Sequence, residues 1–231
     1  MEKTKYWQSE EDLFALIRRR LFTAVVGDVM DKIGLQRQFL PPRIQPLRDD
    51  LVVLGRAMPV LTADVFSEGG SAGSVMSKPF GLMLEALDDL KPGEVYLCTG
   101  GSPNYALWGE LMSTRATKLG AAGAVLNGYT RDADGILQLN FPTFSHGRYA
   151  QDQGPRGKVI DFRTAIEIEG VRIRPGDLIF GDSEGVLVVP EEAIEETFEH
   201  AVEKARGEKL VKKAIEDGMS ACEAFQTFGI M

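Results

Sequence analysis

GELMSTRATKLGAAGAVLNGYTRD, residues 109–132, reads as one helix, a tight turn and one buried strand that ends on an adjacent Arg-Asp pair. Glu110 and Ser113 suit a first helical turn. Leu111, Met112, Ala116 and Leu119 recur at near-helical spacing as far as Gly120, a natural stop. Arg115 falls inside the apolar arc, so it must snorkel or find a partner. Ala124-Val125-Leu126, bounded by Asn127-Gly128, fits a strand covered on both faces better than a second helix. Ligands bind at strand ends in α/β proteins, which makes Arg131 and Asp132 the centre of a candidate site. Spacing alone leaves open a purely structural ion pair at that strand end.

Outward from this stretch the pattern is α/β. Ser9 and Asp12 form a capping signal before an amphipathic segment ending in Arg18-Arg19-Arg20, and residues 23–33 give a second helix stopped by Gly34. Three prolines mark 39–50 as a loop. Residues 51–65 predict two strand segments around Gly55, with a bend or edge at Pro59. The glycine-rich stretch 67–77 predicts a mobile loop; it lacks the spacing of a P-loop or a dinucleotide fingerprint. A helix over 80–90, a short strand over 95–98 and a loop over 99–108 lead back to the opening stretch. Beyond it, 141–149 is a strand running into a loop. Five short strands follow at 158–162, 165–169, 171–173, 178–180 and 186–189, divided by Glu169-Gly170, Pro175-Gly176 and Glu184-Gly185. Pro190-Glu191-Glu192 opens a long helix. We expect one domain over residues 1–231, with N-terminal helices at 9–34, an α/β core at 51–190 and a C-terminal helix at 191–217.

With 26 basic against 34 acidic residues, the net charge of −8 argues against nucleic acid or an anionic membrane as the main partner. No apolar run approaches a membrane span and the first residues lack the apolar core of a secretory signal, so a cytoplasmic location is expected. Cys98 and Cys222 are too few and too far apart for a disulfide framework or a thiolate metal site. With only His146 and His200, a multi-histidine zinc site within one chain is excluded as well. A metal would therefore be held by oxygen, as Mg²⁺ or Mn²⁺ prefer, and Asp132 is the best-placed ligand. Arg131 beside it could fork onto a carboxylate or neutralise an oxyanion. Gly109 permits close approach to the backbone, and the N–H groups of Glu110, Leu111 and Met112 at a helix start suit a carboxylate. A 2-oxo acid fits both walls.

These residues, together with Gly128-Tyr129-Thr130-Arg131-Asp132, Phe141-Pro142-Thr143-Phe144 and Gly181-Asp182-Ser183-Glu184-Gly185-Val186, resemble the RraA-like family. That family joins class II 4-hydroxy-4-methyl-2-oxoglutarate aldolases with regulators of ribonuclease activity. The resemblance implies an α/β/α-type sandwich with a mixed sheet or barrel-like core of the phosphohistidine-domain kind, assembled as homotrimers or hexamers. It also implies a metal-dependent lyase that cleaves a 4-hydroxy-2-oxo acid to pyruvate and a carbonyl product, with oxaloacetate decarboxylation as a side activity. The alternatives are a non-catalytic regulator that binds ribonuclease E and a same-fold metal enzyme acting on a sugar-derived acid. Carried over by position, Asp132 holds the metal, Arg131 grips the oxo acid and steadies its enolate, and residues 109–112 bind the carboxylate. Glu208, from a neighbouring subunit, and Asp134 are further metal candidates. His146, Arg148, Tyr149, Asn104 and Trp108 are candidates for the far end of the substrate, with loop packing as their other role. One departure stands out: the family's acidic residue three positions after the aspartate is Gly135 here.

Overall fold

Strand β2 (Val53–Asp64) is the axis of the main sheet. One side pairs in parallel with β3 (Glu94–Thr99); the other is antiparallel first to β11 (Leu178–Asp182) and then to β8 (Gly157–Phe162). The predicted break at Gly55 and the bend or edge at Pro59 are thus replaced by one continuous central strand. Pro59 is tolerated because β11 reaches only to Arg56 and β8 begins at Val60, so no ladder bond is required of its missing N–H. Its carbonyl still accepts the Arg163 N–H at 2.8 Å. Gly55 serves close packing: a Cβ there would stand 2.3 Å from the Gly93 carbonyl oxygen and 2.8 Å from the Ala122 Cβ.

The computed structural model describes residues 6–65 and 75–230, so most of the glycine-rich loop expected at 67–77 lies outside the described residues. Two units are distinguished, Arg37–Glu191 and a helical one made of Met1–Gln36 with Glu192–Met231. In the first, β5 (Gly123–Leu126) runs parallel to β3, β7 (Thr143–Ser145) parallel to β5, and β1 (Gln45–Pro46) antiparallel to β7. At the other end β12 (Gly185–Val189) pairs with β11. The residues before β1 bond to β12, Leu40 N–H to the Val186 oxygen at 2.8 Å and Val188 N–H to the Gln38 oxygen at 2.9 Å. The sheet therefore curls until its ends meet, giving the mixed, nearly closed barrel-like core that was expected.

Alternation along the strands separates two cores. Val53, Ala57, Val95, Leu97 and Val125 join one cluster with the hairpin of β9 (Ile166–Ile168) and β10 (Val171–Ile173). Met58, Val60, Tyr96, Cys98, Ala124 and Leu126 face the other way, onto α3 (Met83–Asp88), α4 (Glu110–Leu119) and α5 (Ala133–Gln138). Each fully buried aliphatic side chain contributes roughly 1.5–3 kcal/mol. Both faces of β5 are thus covered, as its unbroken apolar run implied. The hairpin turn Glu169-Gly170 has φ of 46° and 86°, the two positive values a tight two-residue turn needs.

Some boundaries move. The helix expected over 80–90 shrinks to α3, because Leu82 donates its N–H to the Val159 carbonyl and is held at the sheet. The loop expected over 99–108 ends in a strand, β4 (Ala106–Trp108), which finds a partner in β6 (Tyr129–Thr130). In the helical unit, α1 (Glu10–Arg20) begins as expected with the Ser9 hydroxyl accepting the Asp12 N–H at 3.2 Å. Helix α2 (Thr23–Lys32) packs along α6 (Ile194–Glu216), the C-terminal helix expected at 191–217. A last helix, α7 (Ala221–Phe228), was not expected, although Ser220 caps it through the Glu223 N–H and Gly229 ends it. No described helix is long and apolar enough to cross a membrane.

Two outcomes follow from this packing. Gly55→Ala should lower unfolding free energy by about 1–3 kcal/mol in urea titration, since neither the Gly93 carbonyl nor Ala122 can yield easily. Burial pushes the Cys98 thiol up to about 12, partly offset by a hydrogen bond with Thr62, whereas Cys222 is exposed. A thiol reagent at pH 8 should therefore titrate Cys222 in the native protein and Cys98 only after unfolding.

Candidate functional site

Strands β4 and β6 run parallel, Ala106 opposite Tyr129 and Trp108 opposite Thr130, so both chains leave them on the same side. The first leaves through Gly109 into α4; the second leaves through Arg131 and Asp132 into α5. The crossing is tied by the Arg131 N–H donating to the Trp108 carbonyl at 2.9 Å and the Thr130 hydroxyl donating to the same oxygen at 3.1 Å. Trp108 is fixed in turn, its indole N–H donating to the Ser113 hydroxyl at 2.6 Å.

Asp132 sits in the left-handed region, φ 55° and ψ 36°, a conformation that costs a non-glycine residue about 1–2 kcal/mol. That turn swings its carboxylate away from its own helix and toward α4, where Oδ2 accepts the Glu110 N–H at 3.4 Å. Gly109 makes the approach feasible: a Cβ there would lie 2.7 Å from this oxygen. Gly109, at the N-cap, has no side chain to cap α4, so beyond the long Asp132 contact its positive end is open to an anion.

Arg131 stands between two carboxylates. Its Nε is 3.6 Å from Asp132 Oδ2 and its Nη1 is 2.8 Å from Asp152 Oδ1, with all three side chains roughly half-exposed. Asp152 is held from behind by the Gly154 N–H at 3.0 Å. Sequence reasoning missed Asp152, which lies beyond the 141–149 segment it considered. The available signal was the Asp-x-Gly turn at 152–154, and nothing in its spacing connects it to Arg131.

A cavity of about 460 Å³ opens on this cluster, with Gly109, Arg131, Asp132 and Asp152 in its wall and mostly apolar side chains around the remainder, apart from Asp88, Arg115 and Gln153. Leu111, Met112 and Trp108 belong to the same wall, Trp108 as a buried floor. An adjoining polar cleft shares Arg131 and Asp132 and adds Glu110, Asp134, Arg148 and Tyr149. Arg148 and Asp134 face each other there at 3.5 Å, an exposed and weak pair. The carboxyl group of Glu110 lies against Gly135, where a Cβ would stand 2.3 Å from Glu110 Cδ. Space that a side chain at 135 would enter is therefore occupied by an acid from α4.

Asn104 and His146 stand apart. Asn104 donates to the Ser102 hydroxyl at 3.1 Å and lines neither opening. His146 likewise lines neither; its Nε2 takes the Arg43 Nε–H at 3.2 Å, and its ring meets Tyr129 edge-on. Burial, with Arg43 adding to it, holds the His146 pKa below the usual histidine value, so the ring is neutral at pH 7. Glu208 belongs to the helical unit, where Lys204, also paired with Asp28, holds it at 2.8 Å.

Among the described residues, no cluster of three His, Cys, Asp or Glu side chains is arranged to enclose a metal. The donor set therefore fits only an open site, one carboxylate with the remaining positions left to water or substrate, as Mg²⁺ accepts. Asp132 is suited to that, since its contacts are long and its carboxylate is half-exposed.

Residues 23–188 match the family model described as RraA-like, Aldolase/RraA, and the chain belongs to that family. It is 31% identical over 219 residues to a Halalkalibacterium halodurans protein named "Putative 4-hydroxy-4-methyl-2-oxoglutarate aldolase", covering 94% of this chain and 95% of that one. Among solved structures, an uncharacterized protein of Pseudomonas syringae pv. tomato has the same fold, with a TM-score of 0.81 at 24% identity over 98% of this chain and 99% of that one. So does Streptomyces coelicolor RraAS2, described as an unusual member of the RNase ES inhibitor RraA family, with a TM-score of 0.74 at 20% identity over 89% and 98%.

If Gly109 is what admits the Asp132 carboxylate to α4, Gly109→Ala should keep the native circular dichroism spectrum. A crystal structure of the variant should show the 3.4 Å contact to the Glu110 N–H lost.

Proposed function

We propose that this protein is a lyase that cleaves a 4-hydroxy-2-oxo acid to pyruvate and a carbonyl product with the help of Mg²⁺ or Mn²⁺, and that it also decarboxylates oxaloacetate. The observation that carries this reading is the placing of Arg131 and Asp132 opposite the start of α4 across Gly109. Family membership and the aldolase name of the Halalkalibacterium halodurans relative support it.

The residues divide the work by charge. The C1 carboxylate of the substrate meets the N–H groups of Leu111 and Met112, where the helix dipole favours an anion. Asp132, with water, would hold the metal, which when bound withdraws charge from the C2 carbonyl and so favours the enolate. The Arg131 guanidinium carries positive charge to the same oxygen, in the fork geometry suited to an oxyanion. The proton of the C4 hydroxyl goes to Asp152, which lines the same cavity, or to Glu110 in the adjoining cleft, directly or through water. Glu110 also supplies, from the other wall, an acid beside the position where the family pattern has one and this chain has Gly135.

Asp132→Ala and Arg131→Ala should each lower kcat/KM for Mg²⁺-dependent oxaloacetate decarboxylation by about a hundredfold or more, the scale of losing one charge-stabilising group. Both are half-exposed at a strand end, so melting temperatures should change little. Wild-type activity in either variant would refute the assignment. Absence of turnover in the unaltered protein with either metal would favour a non-catalytic regulator.

A further inference from the structure

Beyond the Arg131–Asp132 corner, the cavity is walled by Met83, Leu84, Leu87, Trp108, Leu111 and Met112. A pyruvate-sized head at the polar end fills only part of its roughly 460 Å³. What occupies the remainder is constrained by charge. The charged side chains in the wall are three carboxylates, Asp88, Asp132 and Asp152, against two guanidinium groups, Arg115 and Arg131. Neither cation is free: Arg115 Nε is 2.7 Å from Asp88 Oδ1 and Arg131 Nη1 is 2.8 Å from Asp152 Oδ1. A second carboxylate lodged in this chamber would meet apolar carbon and no unpaired cation of its wall. The polar group that remains is neutral. Gln153 is 5% exposed, lines the cavity, and its Nε2 has no partner among the described residues.

We infer that the carbonyl fragment this enzyme releases is uncharged and apolar: the substrate is a 4-hydroxy-2-oxo acid bearing an alkyl or aryl group at C4 in place of a second carboxylate. The inference rests on the lyase reading above and names the substrate class of the same site. In the reaction the C3–C4 bond breaks and its electron pair stays on C3 as the enolate of pyruvate. The C4 hydroxyl gives its proton to a carboxylate and becomes the carbonyl of an aldehyde or ketone, and C3 then takes up a proton to give pyruvate. Oxaloacetate remains compatible, because its second carboxylate sits on the carbon next to the C2 carbonyl and stays at the polar end.

The test compares the full chain with Mg²⁺ on 4-hydroxy-2-oxo-4-phenylbutanoate and on 4-hydroxy-4-methyl-2-oxoglutarate, with oxaloacetate decarboxylation measured in parallel. The phenyl compound should be cleaved with a kcat/KM at least about tenfold higher, the discrimination a hydrophobic pocket gives. Leu84→Arg, at an exposed position of the apolar wall, should erase most of that preference. Equal or faster cleavage of the dicarboxylate, or an unaltered preference in Leu84→Arg, overturns the inference and leaves the lyase reading standing. Decarboxylation without cleavage of either aldol does the same to the inference. Loss of all three activities in the unaltered protein overturns both.

Discussion

The site depends on a missing methylene. Because Gly109 has no Cβ, the carboxylate of Asp132 can rest on the first N–H of α4, and two segments that meet only through a short parallel strand pair become opposite walls of one opening. The left-handed turn at Asp132 is the other half of the arrangement. In a right-handed conformation the same residue would direct its carboxylate elsewhere. Instead the strain is held by packing on both sides: the Trp108 carbonyl takes two hydrogen bonds from residues 130 and 131, and the Trp108 ring is buried against Tyr96 and Phe141. The core therefore fixes the geometry, and the walls inherit it.

Electrostatics at this place favours exchange over rigidity. Arg131 bridges Asp132 and Asp152, yet the three side chains are about half-exposed, and such pairs contribute about 0–1 kcal/mol in water. An incoming anion can replace one carboxylate at little cost. Arg163 shows the contrast: it binds Asp89 and both carboxylate oxygens of Glu94, is more deeply placed, and its pKa is raised by these hydrogen bonds against the opposing effect of burial. The same residue type thus serves as a strut between loops in one place and as an adjustable clamp in the other.

What the sequence made legible follows from the range of each interaction. The helix, turn and strand of residues 109–132 were readable because apolar spacing and Gly120 act locally, and the antiparallel half was readable from its turn dipeptides. The family motifs gave the barrel-like mixed sheet. Pro59 misled because its fitness for a central strand depends on where two distant strands, β11 and β8, stop and start. Asp152 escaped notice for the same reason: its bond to Arg131 spans 21 residues and a change of direction that no periodicity records. His146 looked like a site residue by type, but Arg43, more than a hundred residues away in the chain, claims its ring nitrogen.

Gly135 illustrates how a departure from a motif is to be weighed in space. Along the chain it removes an acid from the position that follows Asp132. In the fold, the bare Cα at 135 lets the Glu110 side chain lie against the first turn of α5, so an acid from the facing helix fills that space. The two features are coupled sterically, since any Cβ at 135 would collide with Glu110 and drive its carboxylate out of the cleft. Glu110, carried by α4, thus lines the same polar cleft as Asp132. It belongs to the same helix whose N-terminus, in the proposed reaction, receives the substrate carboxylate. A second substrate carboxylate in that cleft would meet the charge of Glu110, and on the proposed reading the apolar chamber on the other side of Arg131 accommodates an uncharged end.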